Sequence, residues 1–452
     1  LYVAQSQGIQ PLEHSTQSVV NEVASPNKQS EPVVSPANVH DQTTSATSLS
    51  SSEQVGKDTG TAAYYASLAI RARHADAKVL MIGEEKHLPY NRPPLSKELW
   101  WYGDEESANT LQYKGLSGKK RDGFFVPPSE LSATSHGGVS LLRGRRVSKL
   151  CPDEKKAYLE DGHCITYNKC LIATGGKPKV LPELENVPEN VMGKILYLRG
   201  VDDYRKLEEI CKSSKSISIV GGGFLGSELA YSIQRKYKNV KITQVLFISF
   251  KVVAENGNLS EFLSKKASEA LRDVGVDVIT NAKVCMLVQV NGSQCITSDC
   301  VVVAVGIQPD TLVAEASGLE IDSQSGGISA DAELRVRSDI WVAGDAASFY
   351  DKTLGRRRIE HWDNAQISGR LAGENMTGAG KAFWYQPAFF SKIAPQWQIN
   401  AVGITDSSLP TVSVFAKDVR FYSFTAILRF FVRSIISAKC SRIISMSAVS
   451  AE

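Results

Sequence analysis

Apolar positions in this chain fall in short runs rather than long stripes. Lys78-Val-Leu-Met-Ile-Gly83 is one such run, and its unbroken hydrophobicity predicts a buried parallel strand. Ahead of it, Gly60 to Arg73 is Ala-rich and predicts a helix. Ser216-Ile-Ser-Ile-Val220 predicts a strand that runs into Gly221-Gly-Gly-Phe-Leu-Gly226, and Ser227 to Arg235 continues as a helix. Lys169-Cys-Leu-Ile-Ala-Thr-Gly-Gly176 and Val301-Val-Val-Ala-Val-Gly306 predict two more strands that end in glycine turns. Ile340-Trp-Val-Ala-Gly-Asp-Ala-Ala347 predicts a strand ending in Gly-Asp. Strands alternating with helices place the chain in the α/β class.

The 221–226 turn matches G-x-G-x-x-G in its proper setting, strand before and helix after. Gly221 serves the tight turn, Gly222 and Gly223 let backbone approach a pyrophosphate, and Gly226 allows close helix packing. Phe224 and Leu225 lie within this loop, and Glu228 follows in the helix. Free amides and the helix dipole then hold the phosphates. Glu84, with Glu85 beside it, follows the first predicted strand, where a carboxylate accepts hydrogen bonds from ribose hydroxyls. The loop that should precede this first unit is degraded. Ser52 to Ala63 offers only Gly60 next to the helix, with Asp58 and Thr59 where glycines should stand and no apolar strand in front. The strand Lys241 to Phe247 runs on through Ile248 to Ala254 before Glu255, which is either the second ribose contact or a plain surface glutamate. Asp345 reads either as a ligand of the FAD ribityl hydroxyls or as a helix N-cap.

The motif order implies an FAD-binding domain (56–185 and 300–375) interrupted by an NAD-binding domain (190–299). These are two Rossmann-like dinucleotide-binding domains in a glutathione-reductase-like arrangement, followed by a truncated α+β C-terminal domain (376–452). Residues 1–55 are rich in Ser, Thr, Gln, Asn, Val and Pro and predict a disordered segment. They contain acidic residues and no Arg, so no import signal is visible there.

Composition changes this picture little. The chain has 452 residues and a net charge of +3, a balance that argues weakly for any nucleic-acid role. Eight cysteines are scattered, and no C-x2-C pair suggests a metal. Phe421 to Ser437 is apolar but carries Arg429 and Arg433, so it predicts a packed or amphipathic helix rather than a membrane span.

Several strings narrow the reading. Leu88-Pro-Tyr-Asn-Arg-Pro-Pro-Leu-Ser-Lys-Glu-Leu-Trp100, Lys169 to Gly176, Gly221 to Leu229, Trp341 to Asp351 and Leu354 to His361 resemble the apoptosis-inducing factor family. Ser368 to Thr377 and Asp406 to Ala416 extend the resemblance, which covers about residues 60–417. It implies an FAD-dependent NADH oxidoreductase with a pro-apoptotic role after release. It further implies that Arg92 and Lys97 contact FAD, with Pro93 and Lys97 beside the isoalloxazine. A cation there would offset negative charge that develops on the ring. Without the resemblance both would be solvated charges flanking a Pro-Pro turn. Val147, Arg199 and Asp345 would complete the FAD shell. Glu360 and His361 would lie between flavin and nicotinamide, Glu228 near the nicotinamide, and Phe390 would stand where the family supplies Trp. Lys97, Pro93 and His361 are thus the candidate catalytic residues.

The implied partners are NADH, a second copy of the chain on NADH binding, and DNA held non-specifically. Basic clusters at Lys119–Arg121, Arg143–Arg146 and Arg356–Arg358 would carry that last contact. The implied location is the mitochondrial intermembrane space, and the nucleus in apoptosis. Two alternatives remain: a non-catalytic nucleotide-binding protein that has lost flavin, and a ferredoxin- or monodehydroascorbate-type reductase.

Overall fold

The computed structural model describes residues 2–11, 60–113, 124–184, 187–247, 261–284, 288–290, 294–352, 354–395, 397–403, 424–428 and 444–448. Two sheets dominate. The first has nine strands, seven of them on its main path, in the order Arg335–Arg337, Ile340–Val342, His163–Ile172, Tyr2–Pro11, Lys78–Gly83, Gly138–Arg143 and Phe125–Val126. The second has seven, in the order Gln294–Ile296, Val288–Val290, Asp277–Val284, Lys241–Phe247, Ser216–Val220, Cys300–Val303 and Ile195–Tyr197. Its centre is parallel: Ser216–Val220 pairs in parallel with both Lys241–Phe247 and Cys300–Val303.

The predicted strand runs reappear as strands because they can be buried on both faces. Val79, Leu80, Met81 and Ile82 are all buried, as are Ile217, Ile219 and Val220. The mixed sheets with crossing helices confirm the α/β class.

The expectation of disorder over 1–55 does not hold for Tyr2–Pro11. This segment lies between His163–Ile172 and Lys78–Gly83 and pairs antiparallel with both. The physical reason is the open slot: without a strand there, two interior strands would present rows of unpaired N–H and C=O groups. The helix expected over Phe421–Ser437 is also not realised in its described part, because Phe424–Leu428 is a strand paired with Ile444–Ala448. Among the described residues no helix is long and apolar enough to cross a membrane.

Helix Thr61–Arg73 packs on helix Trp362–Met376 with almost no spacing. A Cβ at Gly369 would stand 2.2 Å from the Ala62 carbonyl oxygen, and one at Gly373 would stand 2.5 Å from that of Ala66. Small residues on both faces therefore let two backbones touch. The second helix also anchors the Gly-Asp turn, since Gly344 N–H donates to Ser368 Oγ at 3.0 Å. Gly369→Ala should drive a methyl into the Ala62 backbone and lower stability by about 2–3 kcal/mol. Urea unfolding checks this: a midpoint equal to that of the unmodified chain would contradict the packing.

Candidate cofactor and active site

The carboxyl ends of both sheets open onto one cavity of about 610 Å³. Its walls include Gly83, Ala173 and Ala343 from the first sheet's strand ends and Val303 and Ala304 from the second's. Crevices at strand carboxyl ends are where α/β folds bind ligands.

The first residues of helix Thr61–Arg73, Thr61 to Ala63, line this cavity after Gly60, which has φ +51°. A helix N-terminus of this kind favours an anion; Asp58 and Thr59 lie outside the described residues. Glu84 lines the cavity at the end of its strand and is exposed. Glu85 bonds Arg92 Nη2 and accepts from Tyr90 Oη at 2.8 Å. Val147 also lines the wall.

Arg92 Nη1 donates to the Arg199 carbonyl oxygen at 2.8 Å, and Arg199 Nη2 donates to Asp345 Oδ2 at 3.0 Å. Asp345 therefore faces a cation in the cavity. The N-cap alternative is not realised, because Ala343 occupies that position and no side chain caps the turn.

Deeper in, Lys97 and Glu228 form a buried ion pair with Nζ and Oε2 2.7 Å apart. Their side chains are each 6% exposed. The solvated-charge reading of Lys97 is thereby overturned: the turn Pro93–Ser96 and the helix Glu98–Tyr102 press it inward. Both Glu228 oxygens are saturated. Oε2 also accepts from Ser96 Oγ at 2.6 Å, and Oε1 accepts from Ser391 Oγ at 2.6 Å and from Lys392 N–H at 3.3 Å. Glu228 comes from the helix that follows the glycine turn, so this pair ties the two Rossmann units together across the cavity.

The glycine turn behaves as its spacing requires. Gly221 has φ +126°, and a Cβ on it would meet the Ala304 carbonyl oxygen at 2.2 Å. A Cβ on Gly226 would stand 2.5 Å from the Gly221 carbonyl oxygen. Gly223, Phe224, Leu225 and Gly306 line the cavity, whereas Gly222 does not. Glu255 lies outside the described residues.

His361 caps helix Trp362–Met376, its Nδ1 accepting from Asp363 N–H at 3.4 Å. Its Nε2 lies 3.4 Å from both the carbonyl oxygen and the N–H of Phe390. Burial holds the His361 pKa below the ordinary histidine value, so the ring is neutral at pH 7. Partial desolvation at the cavity wall raises the Glu360 carboxyl above its ordinary value, against the opposing pull of Arg358, although its side chain is still 42% exposed. Pro93 and Phe390 complete the inner wall.

Sequence reasoning missed several contributors. Ser96 adjoins Lys97 in the segment 88–100 and could have been found there. Ser391, Phe389 and Trp362 carried no sequence signal. Phe389 packs on Phe224 with ring centroids 5.1 Å apart and on His361 at 5.9 Å, so it helps close the inner wall.

The described basic clusters are engaged internally. Arg145 and Arg146 pair with Asp161 and Glu160, and Arg357 and Arg358 pair with Asp351 and Glu360. Arg356 donates to the carbonyls of Ala330 and Ser348. Lys119–Arg121 lies outside the described residues. Among the described residues, no group of acidic, His or Cys side chains is placed to hold a metal.

Comparison with known proteins agrees with this geometry. The family model for pyridine nucleotide-disulphide oxidoreductases matches residues 59–369. The model for the C-terminal region of mitochondrion-associated apoptosis-inducing factor matches residues 372–432. The chain belongs to the apoptosis-inducing factors of the pyridine nucleotide-disulphide oxidoreductase family. It is 40% identical to apoptosis-inducing factor 1 of Dictyostelium discoideum over 79% of its own length and 68% of the relative's. It is 41% identical to the putative apoptosis-inducing factor 1 of Drosophila melanogaster over 82% of its own length, and spans 53% of that relative. The family match runs to residue 432, beyond the stretch 60–417 that the local strings cover. In fold, the chain is similar to a ferredoxin reductase from Rhodopseudomonas palustris, with a TM-score of 0.70, 23% identity and coverage of 88% of this chain and 90% of the other.

FAD and NAD(H), the cofactors expected from the sequence, are those of this family. The residues present fit them: a helix N-terminus and a glycine turn for two pyrophosphates, the Glu84 carboxylate for a ribose, and a buried cation for the flavin ring.

Two outcomes follow from the buried groups. Glu228→Ala should destabilise the chain by about 3–5 kcal/mol, because it leaves Lys97 charged and unpaired in the interior; chemical denaturation measures this. In an NMR pH titration His361 should titrate below about 6.5. Since its folded pKa is depressed, stability linked to it is full above that value and is lost as pH falls through the folded pKa. A His361 titration at or above the ordinary value would contradict its burial as a neutral ring.

Proposed function

We propose that this chain is an FAD-dependent NADH oxidoreductase of the apoptosis-inducing factor type. FAD would supply the ring that accepts the hydride of NADH. Lys97, Arg92, Arg199, Asp345, Glu84, Glu85, Gly60 and Val147 would hold it, with Pro93 against the ring. Gly223, Phe224, Leu225, Glu228 and Gly306 would hold the nicotinamide dinucleotide, and Glu360, His361 and Phe390 would lie between the two. Glu255 is the proposed ribose contact.

The observation that carries this reading is the Lys97–Glu228 pair at 2.7 Å, which joins the two Rossmann units inside one shared cavity. Its desolvation keeps the Lys97 charge strong at the point where negative charge would develop. A neutral His361 adds no second full charge beside it. Phe389, Phe390 and Phe224 exclude water from the same wall, which protects a hydride in transit.

The relatives are named as mitochondrial, and mitochondrial residence is extended to this chain on that basis. Residence in the intermembrane space, passage to the nucleus and a pro-apoptotic role belong to the same proposal. So do homodimerisation on NADH binding and non-specific DNA contact. All of these rest on the family resemblance.

The purified chain should be yellow, and NADH added without oxygen should bleach its visible absorbance. Colourless protein that takes up no added FAD would overturn the proposal. Gly223→Val should weaken NADH binding at least tenfold without unfolding the chain, because a side chain there would block the pyrophosphate's approach to the backbone. Titration calorimetry reads the constant, and an unchanged value would remove the glycine turn from the site.

A further inference from the structure

Tyr90 carries none of the roles assigned above. Its ring is 1% exposed and packs with Leu95, Leu99, Val201 and Tyr204. A tyrosine hydroxyl has one proton to give and two lone pairs to offer. All three are used. Oη donates to Glu85 Oε2 at 2.8 Å and accepts from Arg92 Nη1 at 3.0 Å and from Val201 N–H at 3.0 Å. Burial raises its pKa well above the ordinary phenol value, so the proton stays on the oxygen at neutral pH.

These three partners come from two parts of the molecule. Glu85 and Arg92 flank the loop after the strand Lys78–Gly83. Val201 is the first residue of helix Val201–Ser213, which leaves the second sheet's edge. The turn before that helix is locked as well, because Asp203 Oδ2 accepts from the N–H groups of Arg199 and Gly200 at 2.8 Å each. Arg92 and Arg199 then continue the line to Asp345 across the cavity wall.

We propose that Tyr90 is a positioning residue for FAD binding: its hydroxyl holds Glu85 and Arg92 against the Arg199–Val201 turn and so sets the polar wall on which the cofactor rests. It acts through Arg92 and Arg199 and does not touch the cofactor. The inference rests on the FAD reading above.

The test is FAD binding by the full chain, followed by quenching of flavin fluorescence. Tyr90→Phe keeps the ring and removes only the hydroxyl. It should weaken FAD binding about tenfold, the size of one lost charge-assisted hydrogen bond. In an Arg92→Lys background the same change should weaken it less than about threefold, because the partner it positions is gone. Tyr204→Phe is the control: it removes a buried hydroxyl with no hydrogen-bond partner from the same core and should leave FAD affinity unchanged. Val201→Pro reaches the hydroxyl from the other side, removing the donated N–H at a helix position that tolerates proline. It should weaken FAD binding about threefold, and it decides the matter if Tyr90→Phe does not fold.

Equal FAD affinity in Tyr90→Phe, or an equal loss in the Arg92→Lys background, overturns the inference. A chain that takes up no FAD overturns it together with the oxidoreductase reading. A chain that takes up FAD but is not bleached by NADH refutes only the NADH reaction, and the Tyr90 comparison still decides this inference.

Discussion

The Lys97–Glu228 ion pair is the constraint on which the cavity depends. Taking two charges out of water costs several kcal/mol per ion, and only close geometry with full hydrogen bonding offsets it. That requirement dictates neighbours. Ser96 and Lys97 must arrive from the loop after the first unit's acid, Glu228 from the helix after the glycine turn, and Ser391 from the C-terminal strand Ala388–Ala394. Three segments far apart in sequence are therefore committed to one point. An error in any one of them would strand a charge in the interior.

Close packing makes the second demand, and it acts on backbone rather than side chains. The contact of Ala62 and Ala66 with Gly369 and Gly373 brings two helices within backbone reach. It also fixes where the Gly344–Asp345 turn stands, because Ser368 on one of those helices accepts the Gly344 N–H. Asp345 then faces Arg199 because of helix packing some distance away. Charge placement in the cavity thus depends on the sizes of helix residues that carry no charge themselves.

Much of this was legible in the sequence, for identifiable reasons. Buried parallel strands read as unbroken apolar runs, and the runs at 78–83, 216–220 and 301–303 are strands. The 221–226 turn announced its own geometry, because glycine spacing follows from steric limits that hold wherever the chain folds so. The depth of Lys97 was not legible from its own neighbourhood. Proline-rich turns with flanking charges look solvated until their distant partner is known, and Glu228 lies more than a hundred residues away. Ser391 and Phe389 stayed hidden because contacts between remote segments leave no local period. Tyr2–Pro11 was missed for the same reason, since its only demand is an open slot between strands distant in sequence.

That slot separates two functions that one strand normally serves. A sheet interior needs a hydrogen-bonding partner, and direction is secondary: Tyr2–Pro11 pairs antiparallel with both neighbours and satisfies their backbone groups. A pyrophosphate site needs direction, because a parallel strand delivers its glycine turn straight into the helix N-terminus. Here the strand ends at Pro11, and the helix begins after Gly60, so pairing and delivery are uncoupled. On the FAD reading the helix end itself, Thr61 to Ala63, would face the phosphates, and its dipole does not depend on which strand comes before. On the proposed reading, the weight of holding FAD would shift toward the side-chain line from Glu85 through Arg92 and Arg199 to Asp345. That line is built from ion pairs and backbone acceptors rather than from a glycine turn, so on that reading the order imposed on it by its buried neighbours would decide how well it binds.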